Sequence, residues 1–416
     1  MRVLVVTHYF PPETGAPQAR LSELAALWAA AGDDVAVLTG MPNHPTGVVP
    51  AEYRGRSVVD ERVDGYRVVR TWLYATPNQG VARKTLSHLS FALTGPLLGG
   101  RRVGPADVVM VSSPTFFSIF AAWYLARRTR ARLVVEVRDL WPAIFVELGV
   151  LENRVLIGAL ERAELAAYRA ADAVVVVTEG FRDNLVSRQV PAAKVHVVPN
   201  GVDLARFAAD AADGAAKAAE AAGWRDRLGA APGDTLVLYV GAHGISHGLT
   251  AVAETAAKLA GEPVRFGFVG EGAAKGDLER RVAELGLENV VMLPGIPRDA
   301  VPGLLAAADI CLVPLRRVPL FDTFIPSKLF EYLAAGRAVI GSVRGEAAAI
   351  LRGAGAVVVE PEDSAALADA VRALAGDPER RAEMGRQGRD FVAAHYDRRA
   401  LADRYRAILG DVAGRR

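Results

Sequence analysis

In FDTFIPSKLFEYLAAGRAVIG, residues 321–341, a lysine and a glutamate stand three positions apart where a loop hands over to a helix. Lys328 and Glu331 then share one helix face, with Pro326 in the first turn and Ser327 offering N–H and hydroxyl donors. A salt bridge would explain the pair, and so would a ligand. An ammonium beside the free N–H groups of a helix start suits a diphosphate. A carboxylate one turn deeper is an acceptor-only group that can take both hydroxyls of a ribose. Together they describe half of a nucleotide-diphosphate site.

Two more stretches have the bare backbone such a site needs. YVGAHGISHGL at 239–249 leaves Gly241, Gly244 and Gly248 after an apolar run, with His243 and His247 as the side-chain donors. Two histidines four apart can hold a metal on a helix, but no third ligand stands nearby, so a phosphate-facing loop fits better. VGEGAAKGDLE at 269–279 repeats the pattern with Gly270 and Gly272. Near the start, HYFPPETGAPQAR places Gly15 before a helix and Glu13 in the same loop; an ordinary strand–helix turn explains it equally well. EVRDLWPAIFVELG sets Arg138, Asp139 and Trp141 at a strand end. There Asp139 reads either as a helix cap or as a carboxylate orienting a sugar hydroxyl.

The elements that must position these residues are short β-branched runs at 2–6, 34–39, 107–112, 132–137, 172–178 and 194–199, separated by alanine-rich helical segments. Continuous apolar strands alternating with helices argue for a parallel sheet covered on both faces. After the Ala- and charge-rich stretch 203–234 the alternation restarts at 235–241, 264–270, 289–295, 309–314, 338–342 and 356–360. The expected fold is α/β: two doubly wound Rossmann-like domains facing a central cleft, 1–203 and 204–396. The final helix breaks around His395–Asp397, and its part from about 397 to 416 packs back on the first domain. Doubly wound sheets bind ligands outside the carboxyl ends of their strands, which is where the candidate residues fall.

Composition narrows the classes. Lys+Arg minus Asp+Glu is 49 − 47 = +2, which gives no case for nucleic acid. Cys311 is the single cysteine, so a disulfide framework is excluded, a cysteine zinc site is implausible, and a reducing compartment fits. Cys311 reads as a buried strand residue. The fingerprint GxGxxG is absent after the first strand, against a dinucleotide-dependent dehydrogenase.

YFPPETGAP, VVPNGVDLARF at 197–207, LPGIPRDAVPGLLAAADICLVP at 293–314 and IPSKLFEYLAAGRAVIG at 325–341 form a specific set. Through them the chain resembles, over nearly its whole length, the GT-B-fold retaining glycosyltransferases of family 4. VRDLWP and LTGMPNHPTG further resemble a bacterial branch that builds cell-surface polysaccharides, often adding aminosugars to lipid-linked acceptors. The resemblance implies that Glu331 is the second glutamate of an E-x7-E motif and binds the ribose. The first glutamate's place holds Thr323, with Asp322 adjacent. His247 stands at the family's loop lysine, which leaves more diphosphate charge to Lys328, and Gly295-Ile296 match the loop that reads the base. Gly15, His243, Gly244, Gly270, Gly272, Thr323, Ile325, Ser327 and Leu329 complete the donor candidates. Glu13, Arg138, Asp139 and Trp141 are the acceptor candidates, and Asp139, Lys328 and Glu331 the catalytic ones.

The expected activity is transfer of a hexose or N-acetyl-aminosugar from a nucleoside-diphosphate donor, UDP-linked by preference, to a hydroxyl acceptor with retention. The resemblance implies front-face attack, with the leaving phosphate taking the acceptor's proton. No D-x-D triplet occurs, so neither a metal nor another cofactor is expected. An epimerase or hydrolase of nucleotide sugars, a transferase acting on a soluble secondary metabolite, and an inactive sugar-nucleotide-binding protein stay open.

The opening MRVLVVTHYF reads as a strand, and no apolar run approaches the ~20 residues of a membrane span. A cytoplasmic protein, peripheral at most on the inner membrane face, is expected. VARKTLSHLSFALTGPLLGGRRVG at 81–104 reads first as a core helix. The alternative is an interfacial segment whose apolar face, Phe91 and Leu98 included, dips into an anionic membrane. That would suit a lipid-linked acceptor.

Overall fold

The computed structural model describes residues 1–415 apart from 14, 45, 78–79, 114–115, 148, 150 and 208–213. Part of the Ala- and charge-rich stretch 203–234 thus lies outside the described residues. The chain divides into two units, Met1–Pro199 with Arg399–Arg416, and Asn200–Arg398.

The β-branched runs form the strands of two sheets. The first unit holds β1 (Arg2–Val6), β2 (Asp34–Gly40), β3 (Val58–Val63), β4 (Tyr66–Thr71), β5 (Val108–Ser112), β6 (Arg132–Val137), β7 (Ala173–Val176) and β8 (Val195–Val197). Their order is β3-β4-β2-β1-β5-β6-β7-β8, parallel except for β3 with β4. Val3 pairs with Val35 on one side and Val108 on the other, which puts β1 in the middle of the core. The helices α1 (Ala16–Ala30), α2 (Val81–Thr94) and α3 (Ser118–Thr129) belong to this unit.

The β3–β4 hairpin was not expected from the strand pattern. Its signal is the Asp64-Gly65 pair in RVDGYRV, whose φ values of 46° and 84° are the two positive-φ positions of a two-residue hairpin. The charges of β3 masked the strand; they pair across the hairpin, Asp60 with Arg67 and Glu61 with Arg70 at 2.5 Å.

The final helical stretch is two helices, Pro378–His395 and Arg398–Gly414. From the second, Leu401, Tyr405 and Leu409 enter the first unit's core beside Trp28. The Trp28 indole donates to the Ala402 carbonyl at 3.0 Å.

The second unit holds β9 (Thr235–Val240), β10 (Val264–Val269), β11 (Val290–Leu293), β12 (Ile310–Pro314), β13 (Ala338–Ser342) and β14 (Val357–Val359). All are parallel, in the order β11-β10-β9-β12-β13-β14. Strand order reverses between β1 and β5 in the first sheet and between β9 and β12 in the second. Loops diverge at such points and leave a crevice at the strands' carboxyl ends.

Residues 81–104 do not run as one helix. After α2, residues Gly95–Gly99 make a π-helical turn. Phe91 is fully buried, whereas Leu93 and Leu97 are 64% and 74% exposed. Phe91 thus follows the first reading, a core helix, and not the alternative in which it faces outward: its ring packs edge-on against His8 at 5.3 Å. Among the described residues no helix is long and apolar enough to cross a membrane.

Candidate functional site

Lys328 is the first residue of the helix Lys328–Ala334, which follows a short 3-10 turn at Pro319–Thr323. Ser327 is the N-cap, without a side-chain cap bond, so Pro326 lies just before the helix and not in its first turn. Tyr332 fixes this helix against the end of β9. Its hydroxyl accepts from Val240 N at 2.8 Å and donates to Val240 O at 3.1 Å. The lysine is thereby held at the switch point of the second sheet.

The Lys328 ammonium lies 3.5 Å from the centre of the Tyr239 ring, on its face. The side chain is 9% exposed, and Nζ has no hydrogen-bond partner among the described residues. A face-on ring offsets part of a buried cation's desolvation without acting as a hydrogen-bond acceptor. Burial pushes the Lys328 pKa well down, opposed by the Glu331 carboxylate. Gly241 adopts φ 125°, a left-handed conformation that favours glycine, and a Cβ there would be in ordinary contact with the Lys328 side chain, 3.4 Å from Nζ.

His243 is fully buried, and neither ring nitrogen has a partner among the described residues. Burial, then the Lys328 charge, holds its pKa at about 4. The same two causes bring His247 to about 3, against a contact between Nδ1 and the Pro314 carbonyl at 3.3 Å. Both rings are neutral near pH 7, and a neutral imidazole carries one N–H. Gly244 lies between them, a Cβ there standing 3.5 Å from the His247 ring.

The second glycine loop packs directly on the first. A Cβ on Gly272 would collide with the His243 carbonyl oxygen, and one on Gly270 with that of Gly241. His243 N donates to Glu271 O at 2.8 Å, which pins the loops together. Glu271 in turn accepts from the Gly295 backbone and from Lys275 at 2.8 Å, so Gly295 and the half-buried Ile296 sit at the same end of the sheet.

Other expected donor contacts need correction. Leu329 is fully buried in the core, so its side chain is not available to a ligand. The Thr323 hydroxyl donates to Leu320 O at 2.8 Å inside its own turn. Ile325 and Glu331 are half-buried. Gly15 belongs to the first unit, as the exposed N-cap of α1.

In the first unit Glu13 departs from the acceptor contact expected of it. Its Oε1 accepts from Asn43 N and His44 N, both at 2.8 Å, and Oε2 from Phe10 N at 3.1 Å. The buried carboxylate fastens two strand-end loops to each other. Arg138 Nε and Nη1 are buried without partners among the described residues. Burial raises the pKa of the neighbouring Asp139, opposed by the Arg138 charge. Trp141 stacks on Phe116 at 4.8 Å, and its indole thereby belongs to an aromatic pair. Sequence reasoning missed Tyr239. The signal was the alternation in LVLYVG, which puts Tyr239 and Gly241 on one side of β9 and its continuation.

Two family models match the chain: a glycosyl transferase 4-like domain over residues 15–201, and glycosyl transferases group 1 over residues 222–391. The putative colanic acid biosynthesis glycosyl transferase WcaI of Escherichia coli K12 is 31% identical over 386 residues, 89% of this chain and 91% of that protein. The GDP-mannose-dependent α-(1-6)-phosphatidylinositol monomannoside mannosyltransferase of Mycolicibacterium smegmatis is 28% identical, covering 100% of this chain and 99% of its own. Among solved structures, HepE of Anabaena in complex with UDP and glucose superimposes with a TM-score of 0.72 at 16% identity, covering 99% of this chain and 100% of that one.

Proposed function

The chain belongs to the GT-B-fold glycosyltransferases of family 4, and from that premise we propose that it moves a hexose or N-acetyl-aminosugar from a UDP-linked donor to a hydroxyl acceptor with retention, in polysaccharide or glycoconjugate synthesis. The observation that carries this reading is the pair of buried donors, Lys328 Nζ and the His243 ring, without partners among the described residues, beside two glycine loops at the switch point of the second sheet. A buried ammonium with no hydrogen-bonding partner is costly, and a diphosphate answers it with charge and acceptors together. Glu331 would take the ribose hydroxyls. As the sugar–phosphate bond breaks, negative charge grows on the leaving diphosphate, where Lys328 stabilises it more than in the ground state. The acceptor's proton passes to that phosphate, so no side-chain base is assigned. HepE holds UDP on this fold, whereas the mycobacterial relative is GDP-mannose-dependent; the donor screen decides between them.

The test is label transfer from UDP- and GDP-sugars to hydroxyl acceptors in excess EDTA. Transfer from a UDP-sugar is expected to survive, because an ammonium and not a metal ion meets the diphosphate and the sequence has no D-x-D triplet. Loss that Mn²⁺ restores overturns that chemistry. Donor consumed equally without an acceptor points to an epimerase or hydrolase.

A lipid-linked acceptor at an anionic membrane is part of the same reading. What supports it is the outer face of α2 and α3, where Leu93, Leu97, Phe120 and Trp123 are exposed. Between Asp64 and Glu136 the only carboxylate is Asp107, engaged by Arg2, against ten lysines and arginines. Arg83, Arg101, Arg102, Arg127, Arg128 and Arg130 of this segment are exposed, and an apolar face accompanied by exposed cations fits a headgroup layer of anionic lipid. Co-flotation with anionic vesicles at low salt is expected, and Leu93→Gln with Trp123→Gln should abolish it without lowering the unfolding temperature. A wild-type protein that never floats would remove the membrane from this reading.

A further inference from the structure

The first unit has its own concentration of unmet donors, at the switch point of its sheet. His8 lies two residues beyond β1, and His44 lies in the loop after β2. Lys84 and His88 are one turn apart on α2. His8 is 1% exposed, and neither ring nitrogen has a partner among the described residues; the same holds for the buried Nδ1 of His44. The rings are in contact: His8 with His88 at 4.5 Å, His8 with Tyr9 at 4.4 Å, and Tyr9 with His44 at 5.1 Å between centroids. The Tyr9 hydroxyl and His88 Nε2 are 3.3 Å apart.

Histidines used only to fill a core would leave buried N–H groups without acceptors, which is costly. A metal is the second candidate, but among the described residues no three His, Cys, Asp or Glu side chains are grouped to hold one. The charges facing the cluster suit an anion. Burial, then His88, His44 and Lys84, holds the His8 pKa well below its usual value. Burial followed by Lys84 brings His88 to about 4 and also lowers His44. Burial lowers Lys84 itself. Glu13, the neighbouring carboxylate, is turned to the backbone N–H groups of Phe10, Asn43 and His44, and so fixes where His44 stands.

We propose that His8, His44, His88, Lys84 and the Tyr9 hydroxyl form a site for a phosphate or diphosphate group carried by the acceptor. The assignment rests on the transferase reading and adds to it the chemical class of the second substrate. An entering phosphate supplies acceptors to every N–H in the cluster and the negative charge that Lys84 lacks. The same helix exposes Leu86, Leu89 and Leu93 on its other side. A lipid-linked phosphate and a soluble phosphate ester share this recognition chemistry.

Calorimetry separates the outcomes. Inorganic pyrophosphate is titrated into the Lys328→Met protein, whose donor site has lost its ammonium, and one equivalent that UDP does not displace is expected to bind. Adding Lys84→Met should weaken that binding by roughly tenfold or more, the loss of one charge-assisted contact. His44→Gln, at a half-buried loop position, repeats the test should Lys84→Met impair folding. Failure of pyrophosphate to bind, or binding indifferent to both substitutions, overturns the site. Competition by glycerol phosphate identifies a soluble source; competition only by prenyl diphosphate in neutral vesicles identifies a lipid one. UDP titrated into the wild type reports the donor site separately. UDP binding without pyrophosphate binding in Lys328→Met removes the phosphate site and leaves the transferase, and the reverse pattern does the opposite.

Discussion

Lys328→Met is expected to lower kcat for sugar transfer about 10²–10³-fold, the usual loss on removing one preorganised group that meets transition-state charge. Methionine keeps an unbranched apolar side chain of similar length and takes away the ammonium. The unfolding temperature should hold or rise, because a buried cation without a hydrogen-bond partner among the described residues is a burden on the unliganded protein. That opposition of lost activity and kept stability separates a ligand-facing lysine from a structural one. A drop in stability with kcat unchanged would remove Lys328 from the site. Proton uptake gives a second readout. Burial and the Lys328 charge keep His243 at about 4 and His247 at about 3, and burial lowers Lys328. A bound diphosphate raises all three, so UDP binding takes up protons and weakens as pH rises through the liganded values. Calorimetry in two buffers of different ionisation enthalpy measures the uptake directly.

Arg20→Met should destabilise the first unit by about 3–5 kcal/mol, the cost of stranding a buried charge. Arg20 and Glu136 are both fully enclosed, with Arg20 Nε 3.0 Å from Glu136 Oε1. Ser112 Oγ donates to Glu136 Oε2 at 2.7 Å, and the guanidinium also donates to Pro199 O at 2.9 Å and Val198 O at 3.1 Å. One side chain therefore joins α1, β6 and the chain leaving β8. A fall of roughly 6–20 °C in the midpoint of that unit's transition is expected. Arg20→Met combined with Glu136→Leu should recover much of it, since replacing both partners of a buried pair is often near neutral. If the single substitution leaves the midpoint unchanged, the pair does not hold the unit together.

The strands that were legible are apolar runs rich in β-branched residues, most of them buried on both faces, as in β5 and β12. The β3–β4 hairpin was not, since its charges are satisfied only across the hairpin, Asp60 with Arg67 and Glu61 with Arg70. Lys328 and the glycine loops could be singled out by residue type and spacing, which are local properties. Sequence alone thus determined two alternating α/β units, the loops that follow their strands, and the family whose motifs those loops carry. What only tertiary structure decided is which polar groups find partners. Glu13 read as an acceptor contact and is taken up by three backbone N–H groups, while His8, unremarked in the sequence, and His243, a donor candidate there, are enclosed with no acceptor among the described residues. The reason is physical: a donor's satisfaction depends on atoms brought to it from other elements, such as Tyr239 on β9 beneath Lys328 or His88 on α2 beside His8. No spacing along a single chain encodes that.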